Sequence, residues 1–445
     1  TQGVSSAASD VYKRQTLRFC IMMFLQFFIW GVWYVPMWKY LANIEGAGDW
    51  ILWGVLTPVG LAYASTGIAA MVSPFIVGMI ADRFFPTQVM VGVLHLLGAV
   101  FLYLTSQATH FNDFFLWLLL HLICYMPTLA LVNSLLFQNV KDPQRDAPPV
   151  RTLGTIGWIA SGILIGGGFI VSEELVWQIP EFMGGDPAPT GEGVLDLGST
   201  TWPYVFGVIA SVALGLFAFS LPHTPPHLKG KDVSIGDVLG LKAIRLMKDR
   251  SFAVFIICSL LICIPLSFYF QSTNFFLGYC KIGNSEGVMT LGQVSEIFFL
   301  LLVPFFFRKY GVRMILSIGM LFWVLRYILF ANAGPDAQAL AFLGVLFHGI
   351  CYDFFFFAGQ LYIDKRAPDD IRSAAQGFIA FVTLGIGMFI GGLLNGWWVL
   401  KQKLEDGSTD WSSVWYFPAI MAGVVLFLFL LTFRDSKNTT QESTA

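Results

Sequence analysis

Two carboxylates stand where a carboxylate is costly. When the 28 Asp and Glu residues are sorted against the apolar runs, all but two fall in polar connections. The exceptions are Glu296, in "GQVSEIFF", and Asp353, in "HGICYDFFFF". A carboxylate at the centre of a membrane helix costs about 2.5–3.5 kcal/mol on insertion scales. Such residues face a cavity or a partner and are functional candidates. Other polar groups share their helix faces. Gln293 precedes Glu296 by three residues, and His348 precedes Tyr352 by four, so each pair lies on one face. Asp353 follows Tyr352, about 100° further round the same helix. Arg151 opens the fifth apolar run, with Thr155 one turn on and Trp158 beyond it. The seventh run carries Gln271 and Asn274, and the first carries Gln26 and Trp30. Amides and carboxylates suit hydroxyls and ring imides, and aromatic faces suit a base or sugar ring. The inventory fits a neutral, polar, ring-bearing solute. Phosphate would want several converging arginines, and Arg151 stands alone near these groups, which argues against a nucleotide.

Plainer readings stay open for many of these residues. Gln293, Thr155 and Asn274 are equally compatible with interhelical hydrogen bonds. Arg151 fits a positive-inside anchor. His348 has a duplicate in His121 and fits a helix contact as well as a substrate contact. For Glu296 and Asp353 the structural alternative is a buried ion pair. Arg326, also inside an apolar run, reads as a residue that snorkels or pairs, and Phe354 to Phe357 as lipid-facing or core-filling.

The elements that must position these groups are membrane helices. Of the 445 residues 56% are hydrophobic and 12% charged, with mean hydropathy +0.69. Soluble domains carry about 25% charged residues. Net charge is −2 and no nucleic-acid motif is present, so nucleic-acid binding is set aside. The six cysteines lie in or beside apolar runs without a CxxC pair and read as free buried thiols. Twelve runs are long enough to span: 17–42, 56–81, 88–107, 113–138, 150–172, 201–221, 252–279, 288–307, 312–332, 337–361, 373–399 and 413–433. They lack the alternation of an outer-membrane strand and must be helices. With the N-terminus cytoplasmic, all 26 Lys and Arg except Lys39, Lys281, Arg326, Lys401 and Lys403 fall on the cytoplasmic side. Both termini are therefore expected inside. Residues 1–15 are expected to be a non-native or disordered leader, 16–222 and 252–434 two six-helix bundles, 223–251 a cytoplasmic linker and 435–445 a cytoplasmic tail. Residues 173–200 form a long outer connection, acidic and rich in Gly and Pro.

The two bundles are copies. "HLICY" at 121–125 matches "HGICY" at 348–352, each in the fourth run of its half, and "VRTLGTIGWI" and "IRSAAQGFIA" open the following runs alike. A parallel repeat of six-helix halves, with substrate at the midplane, is the major facilitator arrangement. The expected fold is thus an all-α membrane protein of twelve transmembrane helices in two six-helix halves. "GMIADRFF" resembles a degenerate form of that superfamily's loop motif, which implies gating by Asp82 and Arg83. An ordinary positive-inside turn is the alternative there.

The stretches "FLQFFIWGVW", "CYMPTLALVNSL", "PPVRTLGTIGW", "QVSEIFFLLLVPFFFRKYGVR", "YDFFFFAGQLYIDK", "IRSAAQGF" and "DWSSVWYFPA" resemble the bacterial nucleoside:proton symporter family. The resemblance runs from the first run to the last. It implies nucleoside uptake driven by the proton gradient, with binding residues matching Arg151, Thr155, Gln293, Glu296, Tyr352 and Asp353. The sequence departs from the family where His348 stands in place of a common Tyr. It departs again in the seventh run, where Ser267 and Phe270 occupy the usual amide positions and Gln271 and Asn274 lie nearby. These departures leave base preference open.

The expected mechanism is proton symport by alternating access, with Asp353 as coupling acid and Glu296 beside it. Desolvation favours the neutral acid, and approach of Arg151 favours the anion. Gln293 and Glu296 would contact the nucleoside, with Tyr352 and Trp30 packing its rings. No nucleophile–base pair or metal cluster is present, so enzyme chemistry is not expected. Neither is a cofactor beyond the proton. The expected partners are nucleoside, protons and lipid, the expected unit a monomer, and the expected location the bacterial inner membrane. A proton-coupled sugar or oligosaccharide permease is the alternative.

Overall fold

A computed structural model describes residues 2–48, 56–225, 241–368 and 372–434. Side chains are described within these ranges except at 2–12, 74–84, 143–144, 241–242 and 372–374. About half of the linker expected at 223–251, and the whole tail expected at 435–445, lie outside the described residues.

Helices dominate because the apolar runs leave the backbone no other way to pair its polar groups in lipid. In chain order they are α1 (Gln2–Tyr34), the short α2 (Met37–Leu41), α3 (Pro58–Phe84), α4 (Thr87–Gln107), α5 (Phe111–Asn139), α6 (Pro143–Gly166) and α7 (Trp202–Ala218). After the linker come α8 (Arg250–Tyr279), α9 (Ser285–Ala331), α10 (Gln338–Arg366), α11 (Ala375–Lys401) and α12 (Trp411–Thr432). Eight helices among the described residues are long and apolar enough to cross a membrane. Polar caps mark several starts. Thr57, Asp249 and Asp410 accept hydrogen bonds from the backbone N–H groups of Gly60, Phe252 and Ser413 at 3.1, 2.9 and 3.0 Å.

Some boundaries differ from the sequence expectation. α1 continues back to Gln2, through most of the residues expected to be a non-native or disordered leader. α6 begins at Pro143, so Arg151 lies more than two turns inside it rather than at its start. α6 also stops at Gly166, and residues expected in its span form β1 (Gly168–Val171). With β2 (Glu174–Trp177) and β3 (Val194–Asp196), β1 makes a three-stranded antiparallel sheet in the order β2-β1-β3. The runs FIV, LVW and VLD are short and rich in β-formers, and Gly-Pro punctuation hides them in the sequence. α9 runs through two expected spans as one element, broken at Gly311 (φ 76°, ψ 171°), a backbone conformation that suits glycine.

Buried apolar residues gather into two large cores. One draws on residues from Phe19 to Leu221, the other on Val35 and residues from Ala243 to Phe433. The two groups meet along α3 with α11 and along α6 with α9, where glycines let backbones approach. A Cβ on Gly67 would lie 2.6 Å from the Gly385 carbonyl oxygen, and one on Gly162 would lie 2.4 Å from Thr290 Cγ2.

The face that carries the sheet ties the groups together. Lys39 in α2 bonds to Asp196 (2.9 Å), Glu286 (2.8 Å) and Ser285 (2.9 Å). Asn274 donates to Glu286 (2.8 Å) and to the Val35 carbonyl (3.2 Å). Asn284 donates to the Gly166 carbonyl. At the opposite face Gln15 bonds to Asn139, Arg18 to Ser220 and Arg366 to Asp249, each within its own group.

Candidate functional site

The tight packing of α9 against α10 sets the centre of the site. Gly349 is the reason it is tight. A Cβ there would sit 2.4 Å from the Ser295 carbonyl carbon and 2.5 Å from the Glu296 amide nitrogen. The Gly349 N–H donates to Ser295 Oγ at 2.9 Å. One turn earlier in α9, Gly292 admits the His348 side chain. This contact brings His348 Nε2 to 4.0 Å from Glu296 Oε2. Immediately after Tyr352, α10 widens into a π-helical turn, Asp353–Phe357. Such turns occur often at functional sites.

Asp353 is 2% exposed and its Oδ2 has no partner. It lies close enough to Glu296 for their charges to act on each other. Tyr352 feels Glu296, Asp353 and, from the other helix group, Arg151. Arg151 is solvent-exposed, while Thr155, one turn deeper in α6, is half-buried. Gln271 is fully buried with both amide atoms unpartnered, and Gln293 is 7% exposed with its oxygen unpartnered. A buried amide without partners is costly, and a hydrogen-bonding ligand at these atoms would offset that cost.

Aromatic rings bridge the two groups beside these polar atoms. Trp30 meets Trp158 edge-on at 5.6 Å, Trp158 meets Phe270 at 6.2 Å, Phe270 meets His348 at 6.1 Å, and His348 meets Tyr352 at 5.4 Å between centroids. The Trp30 indole nitrogen is buried without a partner.

Two expected site residues are placed elsewhere. Gln26 is fully buried in the first core, donating to Thr128 (2.8 Å) while its oxygen meets His95 (2.9 Å). Its amide is spent on interhelical bonds rather than a cavity. Asn274 belongs to the tie on the sheet face, away from Asp353. The spacing of three with Gln271 put both on one side of α8 but said nothing of depth. The side chains of Asp82 and Arg83 lie outside the described residues.

A family model described as the nucleoside H+ symporter matches residues 13–179 and 188–438. The chain belongs to that family. It is 40% identical over 434 residues to YegT of Escherichia coli K12, whose name marks it as a candidate nucleoside transporter; the match covers 96% of this chain and 95% of YegT. It is 30% identical to the nucleoside permease NupG of the same organism, covering 94% of this chain and 96% of NupG. The crystal structure of nucleoside transporter NupG matches with a TM-score of 0.76 at 29% identity, over 95% of this chain and 100% of that one. A D-xylose-proton symporter shares the fold alone, with a TM-score of 0.69 at 11% identity, over 96% of this chain and 99% of that one. The family consists of transporters, and the chain is one of them rather than an enzyme.

Several residues at or around the site escaped the sequence reading. Gly349 looked like a simple mismatch within a repeat. Tyr269 is hidden in an aromatic run. Arg326 stands out in the sequence as a charge but not by its place: it is 0% exposed, so it does not snorkel. Its guanidinium stacks 3.4 Å above the Tyr269 ring and bonds to His348 Nδ1 at 3.1 Å. Lys39 and Glu286 read as ordinary charges at span ends. Nothing in their spacing shows that they meet. Near them a cavity of about 460 Å³, lined by Lys39, Asp196, Asn284 and Ser285 among others, shares no residue with the central site.

Proposed function

We propose that this chain imports nucleosides, purine or pyrimidine or both, together with protons across the bacterial cytoplasmic membrane. It does so by alternating access between two six-helix halves of the major facilitator layout, with both termini cytoplasmic and a monomer as the working unit. The observation that carries this reading is one constellation. Two carboxylates, Glu296 and Asp353, stand beside unpartnered amides and a run of aromatic rings, with Arg151 within electrostatic reach from the other group. Gln271, Gln293 and Glu296 offer donors and acceptors to ribose hydroxyls or base edges. Trp158, Phe270 and Tyr352 offer ring faces. Asp353 takes up and releases the transported proton at its free oxygen, and Arg151 approaches it when the halves rock. No covalent step is required.

The tie of Lys39, Asn274, Asn284 and Glu286 on the sheet face supports an arrangement closed on the outside and open to the cytoplasm. Positive-inside charge placement supports the same orientation. Asp82 and Arg83 are proposed to contribute to the opposite, cytoplasmic gate. The fold alone would equally suit a sugar permease. The aromatic bridge and paired buried amides favour a solute with a base.

Asp353→Asn in proteoliposomes tests the coupling. Gradient-driven uridine accumulation should vanish while exchange of labelled for unlabelled uridine persists. Unchanged accumulation would remove Asp353 from the coupling role. Competition by free base but not by ribose or disaccharide separates the nucleoside reading from the sugar one.

A further inference from the structure

Arg326 is a buried guanidinium with no ion-pair partner among the described residues. Its Nη1 bonds to His348 Nδ1 and reaches Cys351 Sγ at 3.8 Å, while its Nε and Nη2 have no partner among the described residues. Nothing about the family layout described above uses it. Its chemistry nonetheless decides the state of its neighbour. A guanidinium carries five N–H donors and no acceptor. At 3.1 Å it can only donate, so Nδ1 of His348 must accept with its lone pair. The ring proton then sits on Nε2, the nitrogen that points toward Glu296 Oε2.

His121, the matching residue of the first helix group, is fixed the other way. Its Nδ1 faces the Gly98 carbonyl oxygen at 2.9 Å, and a carbonyl only accepts. His121 therefore carries its proton on Nδ1 and leaves Nε2 bare. The same five-residue motif holds two histidines in opposite tautomers.

We propose that Arg326 is a positioning residue for the nucleoside site: it locks His348 in the Nε2–H form, and that N–H holds the Glu296 carboxylate in its binding orientation. The hold acts directly on closing the 4.0 Å gap, or through one bridging water. The groups that face His348 among the described residues are aromatic rings, Arg326 and Glu296. Tyr269 stacks on the ring at 4.8 Å, Phe270 and Tyr352 present ring edges or faces, and Arg326 occupies Nδ1. Among the described residues, Glu296 is the carboxylate that Nε2 faces. The lock also accounts for the departure from the family's Tyr. A phenol at 348 supplies a donor by itself, whereas an imidazole supplies one dependably only if its other nitrogen is held. The inference rests on the reading that Glu296 contacts the nucleoside.

The tautomer can be read without transport. Full-length protein labelled with 15N-histidine, purified in detergent, should show His348 as a neutral Nε2–H ring and His121 as Nδ1–H, assigned by comparison with His348→Gln and His121→Gln. Arg326→Met should release His348 into a mixture of forms, and Arg326→Lys, which can also only donate, should keep it Nε2–H. In proteoliposomes Arg326→Met should raise the uridine KM about tenfold with a smaller change in maximal rate, the size expected for losing a hydrogen bond to a charged group. His348→Phe should match it, and His348→Gln, which keeps an N–H donor, should lose about threefold. An Nδ1–H ring at His348 in the unaltered protein would overturn the proposal even if Arg326→Met proved unstable. So would an unaltered KM in Arg326→Met. A chain that carried no nucleoside yet showed the Nε2–H ring would instead defeat the functional reading and leave the lock standing.

Discussion

"HLICYM" and "HGICYD" are the same stretch of helix used for two purposes. In the first, His121 bonds to Gly98, stacks on Tyr125 at 5.8 Å and lies against Trp33; Leu122 is fully buried and Met126 is 5% exposed. Each side chain fills space or satisfies a neighbouring backbone. In the second, Gly349 replaces the leucine and pulls α10 onto α9, His348 turns to Arg326 and Glu296, and Asp353 replaces the methionine at the start of a π-helical turn. Removing one side chain from the motif brought two backbones together and left room for charge. The lesson is that an apolar packing element became a polar site through two changes, one that makes space for closeness and one that supplies the acid.

The comparison is broken most severely by moving the acid. Met126→Asp puts a carboxylate into the first copy, where Met126 is buried in the apolar core and α5 has no widened turn. A cost of about 2.5–3.5 kcal/mol is expected, enough to lower the folded-to-unfolded ratio about a hundredfold. Size-exclusion profiles and thermal melts in detergent should show little folded protein. A well-folded Met126→Asp with normal uptake would mean that the first copy tolerates an acid and that its loss there has no structural cause.

Exchanging the small residue comes next. Gly349→Ala places a methyl group where the Ser295 and Glu296 backbone now lies, and backbone cannot give way as a flexible side chain can. Overpacking of this kind costs about 1–3 kcal/mol, and Glu296 moves away from His348. Uridine KM should rise about tenfold, with a modest fall in melting temperature. In the first copy Leu122→Ala leaves a cavity worth about 2–5 kcal/mol of stability, but KM should hold. If Gly349→Ala binds uridine normally, the closeness of α9 and α10 does not set the site.

The split between what could and could not be read from the sequence follows the same line. Glu296, Asp353 and the repeat were legible because a carboxylate in an apolar run, or a duplicated pentapeptide, is a local signal. Helix faces were legible too, since spacing fixes them. Depth and direction were not. Gln26 and Trp30 share a face, yet the Gln26 amide is absorbed by Thr128 and His95, residues 102 and 69 positions away. Arg326 and His348 are separated by 22 residues and the turn between α9 and α10, so their bond depends on how two helices cross. Lys39 and Ser285 lie 246 residues apart, and each alone is an unremarked polar residue at a span end. The short strands were hidden because three or four residues give too little alternation to stand out beside helices of twenty and more.

The smallest expected effect separates the two histidines themselves. His121→Phe keeps the ring volume, the stack on Tyr125 and the contact with Trp33, and removes one hydrogen bond to the Gly98 carbonyl. That carbonyl sits inside α4 and keeps its helical partner, so the loss is about 1 kcal/mol. The melting temperature should drop by a few degrees at most, and uridine KM should not move, because no described contact of His121 leads to Glu296. His348→Phe keeps its ring stack on Tyr269 as well, so packing alone would predict the same mild outcome. It differs in stripping Glu296 of its donor and Arg326 of its acceptor. Equal and small KM changes in the two variants would show that the motif is packing in both copies. A rise confined to His348→Phe would locate the difference between the copies in the proton on one imidazole nitrogen.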